Sequence, residues 1–138
     1  MAGRQLARGS LVVAAFLLGS SAAVAAEQSY TVVDGKVDKK TFNGWRRYTE
    51  SCMRCHGPDG AGSSYGPDLV DSAKHQTQDE FNEVVVNGRI NVNASSNSVM
   101  PPFGEVEDVV TYLDDIWAYL RARADGALGR GRPPRVGD

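Results

Sequence analysis

The chain lacks several things that would otherwise set its class. It has no surplus of positive charge: 15 Lys and Arg stand against 17 Asp and Glu, which argues against nucleic acid as a partner. It has no apolar run of the ~20 residues that a membrane-spanning helix needs; its longest, residues 11–19 (LVVAAFLLG), falls well short. It shows no internal repeat, and the glycine run from Gly57 to Gly62 lacks the Lys-Ser/Thr ending of a phosphate loop. Cysteine and histidine are scarce, two of each. A structural zinc site needs four ligands, and beyond the two cysteines only His56 and His75 remain to supply them.

The start of the chain reads as a leader. Arg4 and Arg8 precede the apolar run, which closes on small residues ending Ala-Val-Ala-Ala. That order predicts a secretory signal over residues 1–26, cleaved after Ala25 or Ala26. The leader holds two of the basic residues and none of the acidic ones, so the mature chain carries 13 basic against 17 acidic groups, a net charge of −4. No later stretch could cross a membrane. The expectation is a monomeric protein, soluble in the periplasm, with no membrane span in its mature form.

Three further regions follow. Residues 27–39 form a polar arm, with a turn signal at Asp34-Gly35. Residues 40–124 carry helical periodicity. Residues 125–138, rich in Gly, Pro and Arg, predict an extended tail, loose or draped over the domain. Three helices are expected in the central region. Phe42, Trp45 and Tyr48 share one face of the first, residues 39–51. Thr77 and Glu80 form a capping box ahead of the second, whose apolar face is Phe81, Val84 and Val85 and which ends at Asn87-Gly88. Val106, Val109, Val110, Leu113, Ile116 and Leu120 mark the third. Loops of roughly 20 residues between so few helices are unusually long. A large apolar cofactor at the centre would account for them.

Cys52-Met53-Arg54-Cys55-His56 names that cofactor. C-x-x-C-H is the attachment motif of c-type haem: two thiols three positions apart can reach the vinyl groups on one porphyrin edge, and the next residue is forced beneath the iron. A redox dithiol would want a βαβ context, and a plain disulfide has no use for His56. Iron in electron-transfer cytochromes commonly takes Met opposite His. Met1 goes with the leader and Met53 lies inside the motif, so Met100 is the candidate sixth ligand, in a loop stiffened by Pro101 and Pro102. The alternatives are a packed core methionine at Met100, or ligation by His75, which sits in a polar stretch as solvated histidines usually do.

An iron-bound histidine usually donates its second N–H to a carbonyl or carboxylate. The Pro67 carbonyl in Gly66-Pro67-Asp68-Leu69 is the candidate acceptor, although a simple turn would carry the same residues. Arg89 is placed to pair with a haem propionate or to be a solvated helix-end charge. Asn93-Ala94-Ser95 matches a glycosylation sequon and carries little weight.

Over residues 40–124 the chain resembles a class I cytochrome c. Gly44 and Tyr48 are similar to that family's glycine-and-aromatic pair on the first helix, and residues 116–120 (IWAYL) to its helix-crossing segment. Gly66-Pro67-x-Leu69 and Met100-Pro101 resemble its proximal-proline and methionine-loop motifs, which favours Pro67 as the acceptor. The fold implied is all-α, with three main helices and long loops wrapped around one covalent haem c. More narrowly, Tyr65-Gly66-Pro67-Asp68-Leu69, Val86-Asn87-Gly88-Arg89, Tyr112-Leu113-Asp114-Asp115-Ile116 and Gly131-Arg132-Pro133 resemble the methanol-metabolism-related periplasmic c-type cytochromes. That group is associated with alcohol dehydrogenases that use pyrroloquinoline quinone (PQQ). It also carries two further cysteines; this chain has neither, and Thr111 stands where one is expected.

These readings imply a single-electron carrier rather than an enzyme. The donor would be a PQQ-dependent methanol or alcohol dehydrogenase, and the acceptor a terminal oxidase or another cytochrome. The cofactor would be held by Cys52, Cys55, His56, Pro67 and Met100. The alternatives are a haem enzyme or ligand sensor with a labile Met100, or a fixed cytochrome subunit of a dehydrogenase. The acidic residues from Asp68 to Glu83 and from Glu105 to Asp115 could steer a basic partner, or merely solvate helix faces.

Overall fold

The structure, a computed structural model, describes residues 28–93 and 96–137. The leader lies outside the described residues, as does most of the Asn93-Ala94-Ser95 sequon. Helix α1 (Lys39–Ser51) starts where the Asp38 carboxylate accepts the Thr41 N–H at 2.8 Å, satisfying one of the otherwise orphaned first-turn donors. It buries Thr41, Phe42, Gly44 and Tyr48 against α6 (Leu113–Ala124), nearly all of whose middle is buried: Ile116, Trp117, Ala118, Tyr119 and Leu120. The crossing depends on Gly44. A β-carbon there would collide with the Asp115 carbonyl, so only glycine lets the two backbones approach so closely. Beside it the Tyr48 and Tyr119 rings pack tilted, centroids 5.4 Å apart, an arrangement favoured by the ring quadrupoles.

Helix α4 (Gln78–Asn87) has the full capping box: Thr77 Oγ1 accepts the Glu80 N–H, and the Glu80 carboxylate accepts the Thr77 N–H at 2.7 Å. It ends at Gly88, whose φ of 73° suits glycine. Phe81 packs on Trp117 at 5.2 Å between centroids, which seats α4 on α6.

Three features differ from the sequence expectation. The third helix is two: α5 (Glu107–Thr111) and α6 are separated at Tyr112, with φ −113° and ψ 23°. The Arg47 guanidinium lies 4.4 Å from the Tyr112 ring centre and 3.2 Å from the Asp108 carboxylate, bracing the break. Val109, Leu113, Ile116 and Leu120 remain buried on both sides of it, so the apolar rhythm runs straight through. A further helix, α3 (Leu69–His75), is capped by Asp68 accepting the Asp71 N–H at 2.7 Å; it fully buries only Ala73, too little to give a periodic signal. Finally, Arg89–Asn93 (β3) and Ser96–Met100 (β4) pair antiparallel, Arg89 opposite Met100, where a loop was expected.

Strands β1 (Val32–Val33) and β2 (Lys36–Val37) form the small hairpin signalled by Asp34-Gly35, both turn residues having positive φ. The C-terminal residues are draped over the domain. Val37 donates its N–H to Pro134 O at 2.9 Å, and its carbonyl accepts the Val136 N–H at 3.0 Å. Leu128 is buried, and the Arg132 guanidinium lies over Phe42 and Trp45. The remaining short helices, α2 (Met53–His56) and the 3₁₀ turn Pro58–Gly60, lead directly into the site.

Candidate functional site

The end of α1 sets the positions of the two thiols. Cys52 continues the helix by donating its N–H to Tyr48 O at 2.8 Å. Helix α2 then carries Cys55, exposed, and His56, only 6% exposed. The turn closes at Gly57, with φ 74°. A β-carbon at Gly57 would collide with the Gly62 carbonyl, so this position combines a left-handed backbone with a close approach. The Tyr48 hydroxyl, which the sequence assigned only to packing, donates to Gly57 O at 2.5 Å.

His56 Nδ1 lies 3.0 Å from Pro67 O. With the proton on Nδ1, the imidazole donates to that carbonyl and leaves the Nε2 lone pair available to a metal. Gly66 lies against the ring: a β-carbon there would come within 3.0 Å of His56 Nδ1 and 2.9 Å of Cys55 O. Ser63 fastens the loop, donating from Oγ to Cys55 O at 2.6 Å and from N–H to Gly66 O at 2.9 Å. Nothing in the sequence marked Ser63; a serine four residues before a proline is a common loop residue.

Met100, half-buried, closes β4. Its loop is held by Phe103 N–H to Val85 O at 2.9 Å and Gly104 N–H to Val86 O at 3.1 Å. Gly88 lets the two segments approach, since a β-carbon there would stand 2.6 Å from Met100 O.

Cys52, Cys55, His56, Pro67 and Met100 all line one cleft of about 1040 Å³, counting the part open to solvent. Leu69, Phe81, Val85, Phe103, Ile116 and Leu120 supply much of its apolar wall. A cleft with this largely apolar lining and few polar groups suits a large flat apolar cofactor with few polar attachment points. Arg89 is exposed at its edge. His75 is not in it: the side chain is exposed on α3, with Nδ1 3.0 Å from Asp71 O. Among the described residues no three His, Cys, Asp or Glu side chains gather as a metal cluster. Burial, with the nearby Cys55 charge adding to it, pushes the Cys52 thiol up to about 12. A redox dithiol needs the opposite, a thiol whose pKa is lowered so that it ionises readily.

Two thiols, an imidazole and a thioether around an apolar cleft in a helical domain define a c-type cytochrome. Comparison with known proteins places the chain further. Residues 40–120 match the family model described as cytochrome c oxidase, cbb3-type, subunit III. Cytochrome c-553I of Paracoccus denitrificans is 48% identical over 105 residues, covering 76% of this chain and 46% of the relative; the chain thus spans about half of that protein. Cytochrome c-555 of Methylococcus capsulatus is 36% identical over 120 residues, covering 86% of this chain and 85% of the relative. The crystal structure of the c-type cytochrome XoxG from Methylobacterium extorquens AM1 superposes with a TM-score of 0.71 at 44% identity, covering 79% of this chain and 67% of that one. The chain belongs to this family: it is a class I c-type cytochrome, related to the methanol-metabolism cytochromes that its sequence resembles. Its cofactor is haem c, covalently bound, and the donor set and cleft described above fit that group.

Proposed function

We propose that the chain is a periplasmic single-electron carrier, in which Cys52 and Cys55 would anchor the haem as thioethers, His56 and Met100 would hold its iron, and Pro67 would orient His56. The observation that carries this reading is the presence of an oriented imidazole and a thioether in the same cleft as the two thiols. The haem held there would supply one-electron Fe(II)/Fe(III) chemistry.

The protein's own residues make that exchange selective. His56 is held in one tautomer by Pro67 O, so its lone pair needs no reorientation as the charge changes. Met100 would hold the iron from the cleft's other wall and leave no open position for a substrate; methionine ligation would also raise the potential. Phe81, Val85, Ile116 and Leu120 exclude water from the interior of the cleft, while the exposed Cys55 and Tyr65 mark where it opens. The best-supported partner reading is a PQQ-dependent alcohol dehydrogenase as donor and an oxidase or second cytochrome as acceptor; it rests on the family resemblance. Residues 1–26 act as a cleaved leader in this reading, and residues 125–138 as a tail on the cytochrome domain. Among the described residues no helix is long and apolar enough to cross a membrane.

The acidic residues of α4 do not ring the cleft. Its wall uses Phe81, Val84 and Val85, and at 3.6 residues per turn Asp79 and Glu83 fall on the opposite face, both exposed. They shape the long-range field more than the contact.

Ligand binding tests the closed site. The reduced holoprotein should bind carbon monoxide negligibly at neutral pH, and the oxidised form should show the weak near-infrared methionine–iron(III) band. Ready carbon monoxide binding by the wild type would sink the carrier reading in favour of a ligand-binding haem protein. Mass spectrometry of the exported protein checks the leader, with the mature chain expected to begin at Ala26 or Glu27.

A further inference from the structure

The C-terminal tail does more than cover the domain. Its Arg130 and Gly131 converge on one carboxylate, that of Asp59, at the tip of the turn that follows His56. Asp59 Oδ1 accepts the Gly131 N–H at 2.9 Å and Oδ2 accepts Arg130 Nε at 3.1 Å. Its backbone carbonyl accepts Arg123 Nε at 3.4 Å, and Arg123 Nη1 also donates to Leu128 O at 2.8 Å. Helix α6, the tail and the turn therefore share one network centred on a side chain that is only 13% exposed.

Asp59 itself has φ 62° and ψ 14°, a left-handed conformation that costs a non-glycine residue energy and persists where neighbours over-determine it. The turn that contains it leads straight back to the oriented histidine. Gly62 donates its N–H to His56 O at 2.8 Å, and the Gly62 Cα lies so near the Pro67–Asp68 peptide that a β-carbon would be 2.9 Å from Asp68 N and 3.3 Å from Pro67 C. The carbonyl of that peptide is the one bonded to His56. The path from the tail to the imidazole is thus a continuous series of close contacts: Gly131 and Arg130 to Asp59, through the turn to Gly62, and from there to Pro67 and His56.

We propose that Asp59 is a positioning residue for the proximal histidine, and that the C-terminal tail is the strap which, through Asp59, holds the Pro67 carbonyl at its distance from His56 Nδ1. The assignment rests on the reading of His56 as an axial ligand. Hydrogen bonding at Nδ1 makes the imidazole a stronger donor to iron and favours the ferric state. Releasing the strap lets that hydrogen bond lengthen, weakens the donor and raises the reduction potential.

The test compares full-length holoprotein with Asp59→Ala, and with a chain ending at Gly129, which removes Arg130 and Gly131 along with the later tail contacts to Val37, Phe42 and Trp45 but keeps the buried Leu128. Both should raise the potential in the same direction, by about threefold in the electron-exchange equilibrium, or ~30 mV for one electron. Both should speed amide exchange at Gly62. In potential the double variant should add little to the truncation, because both changes release Asp59. In stability the truncation should cost more, since it also removes the Pro134, Val136 and Arg132 contacts. Asp59→Asn, which keeps an acceptor for the Gly131 N–H, should recover part of the shift. A potential unchanged in Asp59→Ala and in the truncated chain, with stability alone reduced, would overturn the proposal. The methionine–iron(III) band and the haem content of the wild type check the ligand reading separately, so an unmoved potential beside a His–Met spectrum counts against the strap alone.

Discussion

Three residues near the cleft differ in what they contribute: Met100 offers a thioether, Gly66 gives clearance for the His56 ring, and Ser63 fastens the turn. Met100 was singled out by elimination among three methionines, and the structure sets it on the cleft that Cys52, Cys55 and His56 line. Its replacement by alanine should leave haem attachment intact while opening the sixth position. The expected result is carbon monoxide binding by the reduced variant and loss of the near-infrared band, read by spectroscopy. Gly66 was legible only as part of a motif; the structure supplies the reason that glycine is needed there. Alanine at this position must push either the Cys55 carbonyl or the His56 ring, at a cost of about 1–3 kcal/mol by analogy with overpacked cores. Denaturant unfolding of Gly66→Ala should show that loss, and a stability equal to wild type would mean the turn yields without resistance. Ser63 was not legible at all, since its bonds to Cys55 and Gly66 join residues that only the folded turn brings together.

Elements were legible in proportion to the surface they bury. The first helix and α4 agree with their sequence bounds because each presents apolar residues at helical spacing and carries a side-chain cap. Helix α3 was missed because Ala73 is its only fully buried residue. The β3–β4 pair was missed because its outward side chains, Ile90, Val92 and Val99, are exposed, so alternation there marks no core. The split at Tyr112 was invisible because a single non-helical residue leaves the apolar phase intact. The cap on α4 allows a quantitative expectation at this scale. Thr77→Ala removes the acceptor for the Glu80 N–H and half of the reciprocal box, which should cost about 1 kcal/mol. Thermal unfolding of the holoprotein should fall by a few degrees, about 4–8 °C per kcal/mol for a domain of this size. An unchanged melting temperature would show that tertiary contacts such as Phe81 on Trp117 hold the helix start unaided.

At the scale of the whole molecule, the helical core and its cofactor motif were legible in the sequence, whereas whether the tail was loose or draped was not. The tail has no apolar periodicity, and its docking depends on partners far away in the chain: Val37, Phe42, Trp45 and Asp59. Docking of this kind carries a pH signature. Burial by itself would raise the Asp59 carboxyl. The Gly131 N–H, the Arg130 side chain and the positive charges of Arg123 and Arg130 outweigh it and hold the group below its ordinary 3.8. A carboxyl whose pKa is depressed by folding stabilises the folded state fully above its unfolded value and loses that contribution as pH falls through the folded one. The strap's electrostatic share is therefore complete at neutral pH and fades only below about pH 4. Other carboxylates titrate over the same range, so the informative quantity is the stability difference between wild type and Asp59→Asn. Tyr119 and Tyr48, whose hydroxyls are raised by burial, stay neutral throughout and do not confuse the comparison. Urea unfolding should show that difference at its full size at about pH 6 and shrinking as the pH falls below about 4. A difference that stayed constant across that range would mean that Asp59 supports the tail through its geometry and not through its charge.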